Sequence, residues 1–496
     1  MGKEQFKIEE ATIDSIHEAM DSGEITSEAL VNMYIKRIEE YDEQLNSIVL
    51  VNPNAVDEAK KIDEYYKTNN RMIGPLHGIP ILIKDQFYTK DMNTTFGSVA
   101  FKDFRANTDA TVITKLQEAG AIILAKTAMP DFATSWFGFS SVSGETKNPY
   151  NTKYDPGASS SGTGAAIAAN LGAVGIGSDC GGSIRVPASF CNLVGMRVTT
   201  GMISRDGMSP LVNFQDTPGP MTRSVKDSAI LLEVLAGHDP KDKFTGVNAY
   251  RASNYTKNLT VDSLKGARIG ILKEVFATGE DAEVINSLIN NSIEHMEKAG
   301  ATIIDPITIP NLKEYLLKTS LYTVQSKKDF NEFIAGKENV SVKDINEIYD
   351  RKLYHEELDL LEAIVEEASV SPEKDPKYFE KRLAQEEFRR EILHVFSEHN
   401  LDAIVFPDVQ VLPPVQDEIP NLDYTVLTFP TNTLIASQSI LPAISVPAGF
   451  TNEGIPVGLE LLGKPYDEDK LLNLAYSYEK NTNFRKPSPL FPELEA

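Results

Sequence analysis

Amphipathic helices and short apolar strands alternate along this chain of 496 residues. In residues 109–126, a helical pattern stops at Gly120, and an apolar strand follows at 121–125. Gly300 separates a helix from a strand in the same way. Further short apolar strands are predicted at 266–272, 401–407 and 441–450. This alternation predicts an α/β fold with a large mixed, mostly parallel central sheet that helices cover on both faces.

The chain has no Pro/Ser-rich linker that would separate autonomous halves, so we expect a single domain over residues 1–496. Residues 312–400 break the alternation, because they are helical, charged and acidic throughout. Such a segment predicts a peripheral helical insertion or lid with a solvated face. We expect this helical segment and loops near the C-terminus to build the substrate pocket.

Composition excludes several classes of function. Lysine and arginine number 48 against 72 aspartates and glutamates, a net charge of −24. This balance argues against nucleic acid as a partner and against anionic membranes. The two cysteines, Cys180 and Cys191, are too few for a disulfide scaffold or a thiolate-built metal centre. The charged N-terminus lacks the apolar run of a signal peptide, which predicts a cytoplasmic protein. We expect neither a metal nor a cofactor.

A Gly/Ser/Ala tract at residues 154–183 is the second break in the pattern. The tract could be a flexible linker, but a run of residues that favour a helix begins at Ala165 within it. The helix is followed by a second glycine-rich loop that holds Asp179, Cys180, Gly181, Gly182 and Ser183. Two adjacent glycines allow a sharp turn that presents backbone amides beside a serine hydroxyl. This pattern is typical of an acyl-transfer site, with a nucleophile next to an oxyanion hole.

A serine nucleophile needs a base, and the seven histidines do not offer a good one. Most lie in charged, surface-like stretches, and we interpret His77 as a structural residue. Lys84 ends the apolar strand 79–83, where a surface lysine is unexpected. Lowering a lysine pKa from about 10.4 to near 7 costs roughly 4–5 kcal/mol, so this role requires a desolvated site.

The Gly/Ser tract and the residues after it resemble the motif of a known family. The tract reads GASSSG at 157–162, and then Gly175, Gly177, Asp179, Gly181, Ser183-Ile184-Arg185, Pro187 and Ala188. This long, mixed spacing resembles the signature of the amidase signature family of serine hydrolases. Blocks similar to the family's also lie at 74–85, 118–133, 215–227 and 441–463. The resemblance covers nearly the whole chain and is weakest in the acidic helical region at 312–400. The motifs are most similar to those of bacterial stand-alone amidases and the peptide amidase group.

The resemblance implies a triad of Lys84, a Ser159 that follows a cis peptide bond, and the nucleophile Ser183. The spacings of 75 and 24 residues match the family's arrangement. In the implied mechanism, neutral Lys84 draws a proton through Ser159 while Ser183 attacks an amide carbonyl. It also implies a catalytic core region at residues 74–227, with the oxyanion held by backbone amides around Cys180, Gly181 and Gly182.

Polar residues next to the triad in the sequence are expected to orient it. We interpret Ser160, Asp179 and Arg185 as groups that orient the catalytic residues. Cys180 is a rival nucleophile, but the sequence places no histidine to activate it. Cys191 is expected to pack in the core.

The predicted function is hydrolysis of carboxamides, either C-terminal peptide amides or small aliphatic amides, to a carboxylate and ammonia. One alternative is the glutamine-hydrolysing subunit of a tRNA-dependent amidotransferase. In that branch the resemblance implies an aspartate about twelve residues before Pro442, where this chain has Pro430. The other alternative is a non-catalytic scaffold on the same fold. The oligomeric state stays open.

Overall fold

The computed structural model describes residues 6–249, 251 and 254–494. In this part of the chain, eleven strands form one sheet in the order β1-β3-β2-β6-β8-β7-β12-β13-β11-β9-β10, and β4 pairs with β5 separately. The strands are β1 Ile48–Val51, β2 Pro80–Lys84, β3 Ile122–Thr127, β4 Phe139–Ser140, β5 Gly144–Glu145, β6 Val174–Asp179, β7 Val194–Arg197, β8 Thr217–Thr222, β9 Arg268–Ile271, β10 Thr302–Ile304, β11 Ala403–Pro407, β12 Ala443–Phe450 and β13 Pro456–Leu462.

The large mixed sheet is confirmed, but its pairing is not mostly parallel. Strand β2 runs parallel to β3 and β6, and β9 runs parallel to β10 and β11. The other neighbours in the described sheet pair antiparallel, among them β12 with β13 and β6 with β8. A short turn at 451–455 joins β12 to β13, and strands joined so closely must reverse direction. The expectation of mostly parallel pairing was wrong. Parallel pairs occur only in the two outer parts of the sheet, β3-β2-β6 and β11-β9-β10, and the strands between them pair antiparallel.

Fifteen α-helices in the described residues pack around this sheet. They are α1 Ile13–Asp21, α2 Ser27–Leu45, α3 Ala55–Asn69, α4 Thr111–Glu118, α5 Ser161–Ala168, α6 Arg185–Phe190, α7 Val225–Leu235, α8 Ala282–Lys298, α9 Leu312–Thr319, α10 Tyr322–Ile334, α11 Ile345–Asp350, α12 Asp359–Glu367, α13 Pro376–Glu398, α14 Leu434–Gln438 and α15 Glu468–Thr482. Within the described ranges, none of these helices is both long and apolar enough to span a bilayer.

The predicted helix–glycine–strand units are confirmed. Helix α4 is followed by Gly120 and β3, and α8 by Gly300 and β10. Both glycines adopt positive φ angles, 93° and 98°, which a side chain would disfavour at the end of a helix. At each glycine the chain therefore turns back, and the strand that follows packs against the preceding helix.

The Gly/Ser tract differs in detail from its prediction. Helix α5 begins at Ser161 rather than Ala165, and Asp179 ends strand β6 instead of lying in a loop. Glycines suit these elements because their neighbours are very close. A Cβ on Gly162 would collide with the backbone of Ala128, and one on Gly175 would lie 2.6 Å from the Thr163 side chain. Close packing against the sheet, rather than flexibility, explains this composition.

Residues 312–400 form the predicted helical segment, α9 to α13. A buried cluster of mainly aromatic and aliphatic side chains joins α10 and α12 to residues 96–139 and to Cys180. The helical segment therefore packs on the same side of the molecule as the glycine-rich loop that follows β6.

Candidate active site

Lys84 is the last residue of β2, between β3 and β6 near one end of the sheet, and its side chain is fully buried. Its Nζ lies 2.7 Å from Ser159 Oγ and 2.9 Å from Ser178 Oγ. Burial lowers the pKa of Lys84 to about 7, although Asp179 and Asp216 act in the opposite direction. A substantial share of this lysine is therefore neutral near neutral pH, as a base must be.

Ser178 fixes the direction of the Lys84 amine. The Ser178 hydroxyl donates its proton to Gln86 Oε1, and Gln86 Nε2 donates in turn to Ser209 O at 2.5 Å. Ser178 can therefore only accept a hydrogen bond from Lys84 Nζ. The lone pair of the neutral amine is left for Ser159. Neither partner is evident from the sequence, because Ser178 is one of many small residues in the Gly/Ser/Ala tract and no motif marks Gln86.

Ser159 lies in the turn that precedes α5, and the Ala158–Ser159 peptide bond is cis, as the resemblance implied. The buried carboxylate of Asp155 accepts hydrogen bonds from Gly157 N at 2.7 Å and Gly138 N at 2.9 Å. These contacts hold the residues that lead into the turn. The turn is thus fixed by backbone donors as well as by the lysine.

Ser160 links the Ser159 turn to the predicted nucleophile. Its N–H donates to Ser183 O at 3.0 Å, and its hydroxyl donates to Ser178 O at 3.3 Å. The structure therefore brings the three predicted triad residues to one place, with Ser160 bridging two of them. This contact agrees with an orienting role for Ser160.

The loop of residues 180–183 runs from the end of β6 to the start of α6, and Ser183 retains 5% exposure. Gly182 has a φ of +151°, and a Cβ there would collide with Thr433. Thr433 Oγ1 donates to Gly181 O at 2.8 Å, which fixes the orientation of this peptide group. Among the described residues, the N–H groups of Gly181, Gly182 and Ser183 have no hydrogen-bond acceptor. Free amides of this kind are what an oxyanion hole requires.

Beneath the loop, Asp179 and Arg185 form a buried ion pair. Arg185 donates to both carboxylate oxygens of Asp179, at 3.0 and 3.1 Å, and Arg197 donates to Asp179 Oδ1 at 2.9 Å. Burial alone would raise the pKa of Asp179, but the two guanidinium groups hold it at about 2. Asp179 also accepts the N–H of Ile184 at 3.2 Å, which ties the carboxylate to the residue after Ser183.

Both cysteines are buried and free. Burial and the carboxyl group of Asp216 raise the pKa of the Cys180 thiol well above its ordinary value. A thiol is a poor nucleophile when its thiolate is disfavoured. Cys191 Sγ lies 3.4 Å from Pro156 O inside the core, as expected for a packing residue. The raised pKa of the Cys180 thiol therefore argues against Cys180 as the rival of Ser183.

Aromatic and apolar side chains cover the glycine-rich loop. A Cβ on Gly181 would collide with the Tyr322 hydroxyl and would lie 2.9 Å from the Trp136 ring and 3.3 Å from Leu434. Trp136 stacks on Phe429 with ring centroids 5.7 Å apart. Tyr322 begins α10, so the helical segment does contribute to this wall. The sequence predicted the segment's contribution but not these residues, because nothing in their local pattern marks them.

Comparisons with known proteins agree with one another on the family. The family model described as Amidase matches residues 29–472. A glutamyl-tRNA(Gln) amidotransferase subunit from Alkaliphilus metalliredigens is 34% identical over 98% of this chain and 99% of its own length. Among solved structures, native peptide amidase from Stenotrophomonas maltophilia has a TM-score of 0.85 at 31% identity, covering 97% of this chain and 99% of that one. The glutamyl-tRNA(Gln) amidotransferase subunit from Thermotoga maritima has a TM-score of 0.77 at 26% identity, covering 99% of each chain.

Proposed function

This chain belongs to the amidase family, and from that premise we propose that it hydrolyses carboxamides to a carboxylate and ammonia through an acyl-enzyme on Ser183. One observation carries the proposal. A fully buried lysine with a pKa of about 7 lies 2.7 Å from Ser159, whose neighbour Ser160 contacts Ser183. A neutral lysine and two serines provide a base, a proton relay and a nucleophile without histidine.

In the acylation step, Ser183 Oγ attacks the amide carbonyl carbon while its proton passes to Ser159. The Ser159 proton passes in turn to the lone pair of Lys84, which becomes an ammonium group. The N–H groups of the 181–183 loop stabilise the negative carbonyl oxygen. The proton then returns through Ser159 to the leaving nitrogen, the C–N bond breaks, and ammonia leaves.

In the deacylation step, water attacks the Ser183 ester with the same relay as base. The proton taken from water returns to Ser183 Oγ when the ester bond breaks, and the carboxylic acid leaves and gives up its remaining proton to solvent or to the released ammonia. Ser178 acts as a positioning residue in both steps, because it keeps the Lys84 lone pair directed at Ser159.

We propose that the acyl group is apolar or peptidic, such as a C-terminal peptide amide or a small aliphatic amide. The side chains nearest the Gly181 backbone are those of Tyr322, Trp136 and Leu434. Aromatic and aliphatic walls favour apolar groups, whereas a zwitterionic amino acid needs paired charges once it is desolvated. The higher TM-score with peptide amidase also favours this substrate class.

The second candidate is the glutamine-hydrolysing subunit of a tRNA-dependent amidotransferase. The 34% identity to a protein of that name, over nearly the whole chain, favours it. Against it, Pro430 stands where the resemblance implies an aspartate for the glutamine amino group. The Pro430 carbonyl accepts Gln410 N at 2.9 Å, and a pyrrolidine ring cannot bind an ammonium group.

An ammonia-release assay on the isolated chain separates these candidates. We expect an N-acetylated dipeptide amide or butyramide to release ammonia with no other protein present, and faster than L-glutamine at equal concentration. Free ammonia is measured with a coupled enzyme, and Ser183→Ala is the blank. Release from glutamine that exceeds release from the peptide amide, or activity that depends on added amidotransferase subunits, would favour the second candidate.

A further inference from the structure

Five fully buried charged side chains form a cluster below the glycine-rich loop. They lie on β6, α6, β7, just after β11, and on β13, and they are Asp179, Arg185, Arg197, Asp408 and Glu460. Three carboxyl groups thus face two guanidinium groups with no access to water. Buried charges are tolerated when they are paired, so this cluster has one negative charge too many if every acid is ionised.

The hydrogen bonds locate the excess charge at Asp408 and Glu460. Arg185 donates to Glu460 Oε1 at 2.6 Å, and Ser445 donates to Asp408 Oδ2 at 2.7 Å. The other oxygen of each group, Asp408 Oδ1 and Glu460 Oε2, is buried without a hydrogen-bond partner. Ser445, which donates to Asp408, is the direct cross-strand neighbour of Glu460 in the β12–β13 pair, so the two carboxyl groups lie side by side. Two facing acceptors become a satisfied pair when one proton lies between them.

We propose that Asp408 is protonated and donates a hydrogen bond to Glu460, and that this pair positions Arg185 beneath the nucleophile loop. The catalytic part of this inference rests on the proposed amidase function. With the shared proton, two negative charges balance two positive ones. Burial and the facing carboxylate of Glu460 raise the pKa of Asp408 well above its ordinary value, in agreement with this assignment.

A chain of contacts connects the pair to the oxyanion site. Arg185 holds Glu460 and also donates to Thr433 O at 2.9 Å. The Thr433 hydroxyl in turn holds Gly181 O at 2.8 Å. Asp408 and Glu460 are therefore positioning residues that act through Arg185 and Thr433.

A metal ion is the other device that could balance clustered carboxylates. Within residues 6–249, 251 and 254–494, however, no group of three His, Cys, Asp or Glu side chains could hold one. Arg185 already occupies one face of Glu460, and Ser445 occupies one oxygen of Asp408. A shared proton balances the charge with the groups that are present.

Infrared difference spectroscopy tests the proton directly. At pH 8, the wild type minus Asp408→Asn spectrum is expected to contain the C=O stretching band of one protonated carboxyl, shifted in D2O. Glu460→Gln removes one acid from the cluster, leaves Asp408 ionised and is expected to lose the same band. Because the band does not depend on turnover, its presence or absence stands even if the protein proves inactive on amides. The lack of a difference band in both variants would overturn the proposal.

Turnover measurements test the positioning role. Asparagine can accept from Ser445 through Oδ1 and donate to Glu460 through Nδ2, so Asp408→Asn is expected to keep kcat and to lose any alkaline decline caused by deprotonation of the pair. Asp408→Ala leaves Glu460 without a donor and is expected to lower kcat about tenfold while KM changes less. Equal kcat values for the two variants would contradict this role.

Discussion

Replacing Ser183 by alanine is expected to abolish ammonia release from every carboxamide that the wild type hydrolyses. The substitution removes only Oγ, and the backbone contact of Ser183 O with Ser160 N is retained. In serine hydrolases, loss of the nucleophile alone lowers kcat on the order of 10⁶-fold. We therefore expect turnover at the limit of detection together with an unchanged melting temperature.

Ser161→Ala is a matched control from the same tract. Ser161 is also fully buried, and its hydroxyl makes only a long hydrogen bond, 3.4 Å, to Ala128 O. It should keep most of the wild-type rate. If Ser183→Ala instead keeps measurable turnover that Cys180→Ser then removes, the nucleophile is the cysteine and the proposed mechanism is wrong.

Lys84→Met is expected to lower kcat by several orders of magnitude, because Ser159 then has no base. Burial lowers the pKa of Lys84 to about 7, so the wild-type kcat/KM is expected to rise with pH through about 7 as the lysine loses its proton. The measurement is the pH–rate profile of wild type from pH 5 to pH 9. A rate that stays level down to pH 5 would count against a lysine base.

The same substitution has an opposite effect on stability. The folded protein binds fewer protons at Lys84 than the unfolded chain between pH 7 and the ordinary lysine pKa near 10.4, so its free energy of unfolding rises with pH across this window. Methionine carries no charge that must be desolvated. Urea denaturation should therefore find Lys84→Met more stable than wild type at pH 6.5, with a smaller difference at pH 9. A difference that stays level across this range would mean that Lys84 is charged in the folded protein at all these values.

Local sequence features predicted those parts of the site that depend on chain neighbours. Lys84 ends a strand with no polar neighbour on its N-terminal side, and Gly181 and Gly182 precede Ser183, so burial and a tight turn followed from composition alone. The resemblance added Ser159, which no periodicity marks. The helix–glycine–strand units were predictable because a helix must end where a residue takes a positive φ angle.

The remaining features depend on distant pairings. Strand directions were predicted wrongly, because β8 inserts between β6 and β7 and no local pattern specifies that order. Tyr322 reaches Gly181 from a helix that lies far along the chain, where its sequence context is that of an ordinary amphipathic helix. Asp408 and Glu460 meet only because β11 and β13 are neighbours in the sheet. The contacts that tune the site are therefore tertiary.

Acylation of the intact protein by 4-nitrophenyl acetate tests the central claim most directly. This ester has a good leaving group, so acylation outpaces hydrolysis and the acyl-enzyme accumulates. Rapid acid quenching, proteolysis and fragmentation by mass spectrometry then locate the acetyl group. We predict a stoichiometric burst of 4-nitrophenolate with acetyl on Ser183, and neither burst nor adduct in Ser183→Ala. Acetyl on Cys180, or the same burst in Ser183→Ala, would contradict the mechanism.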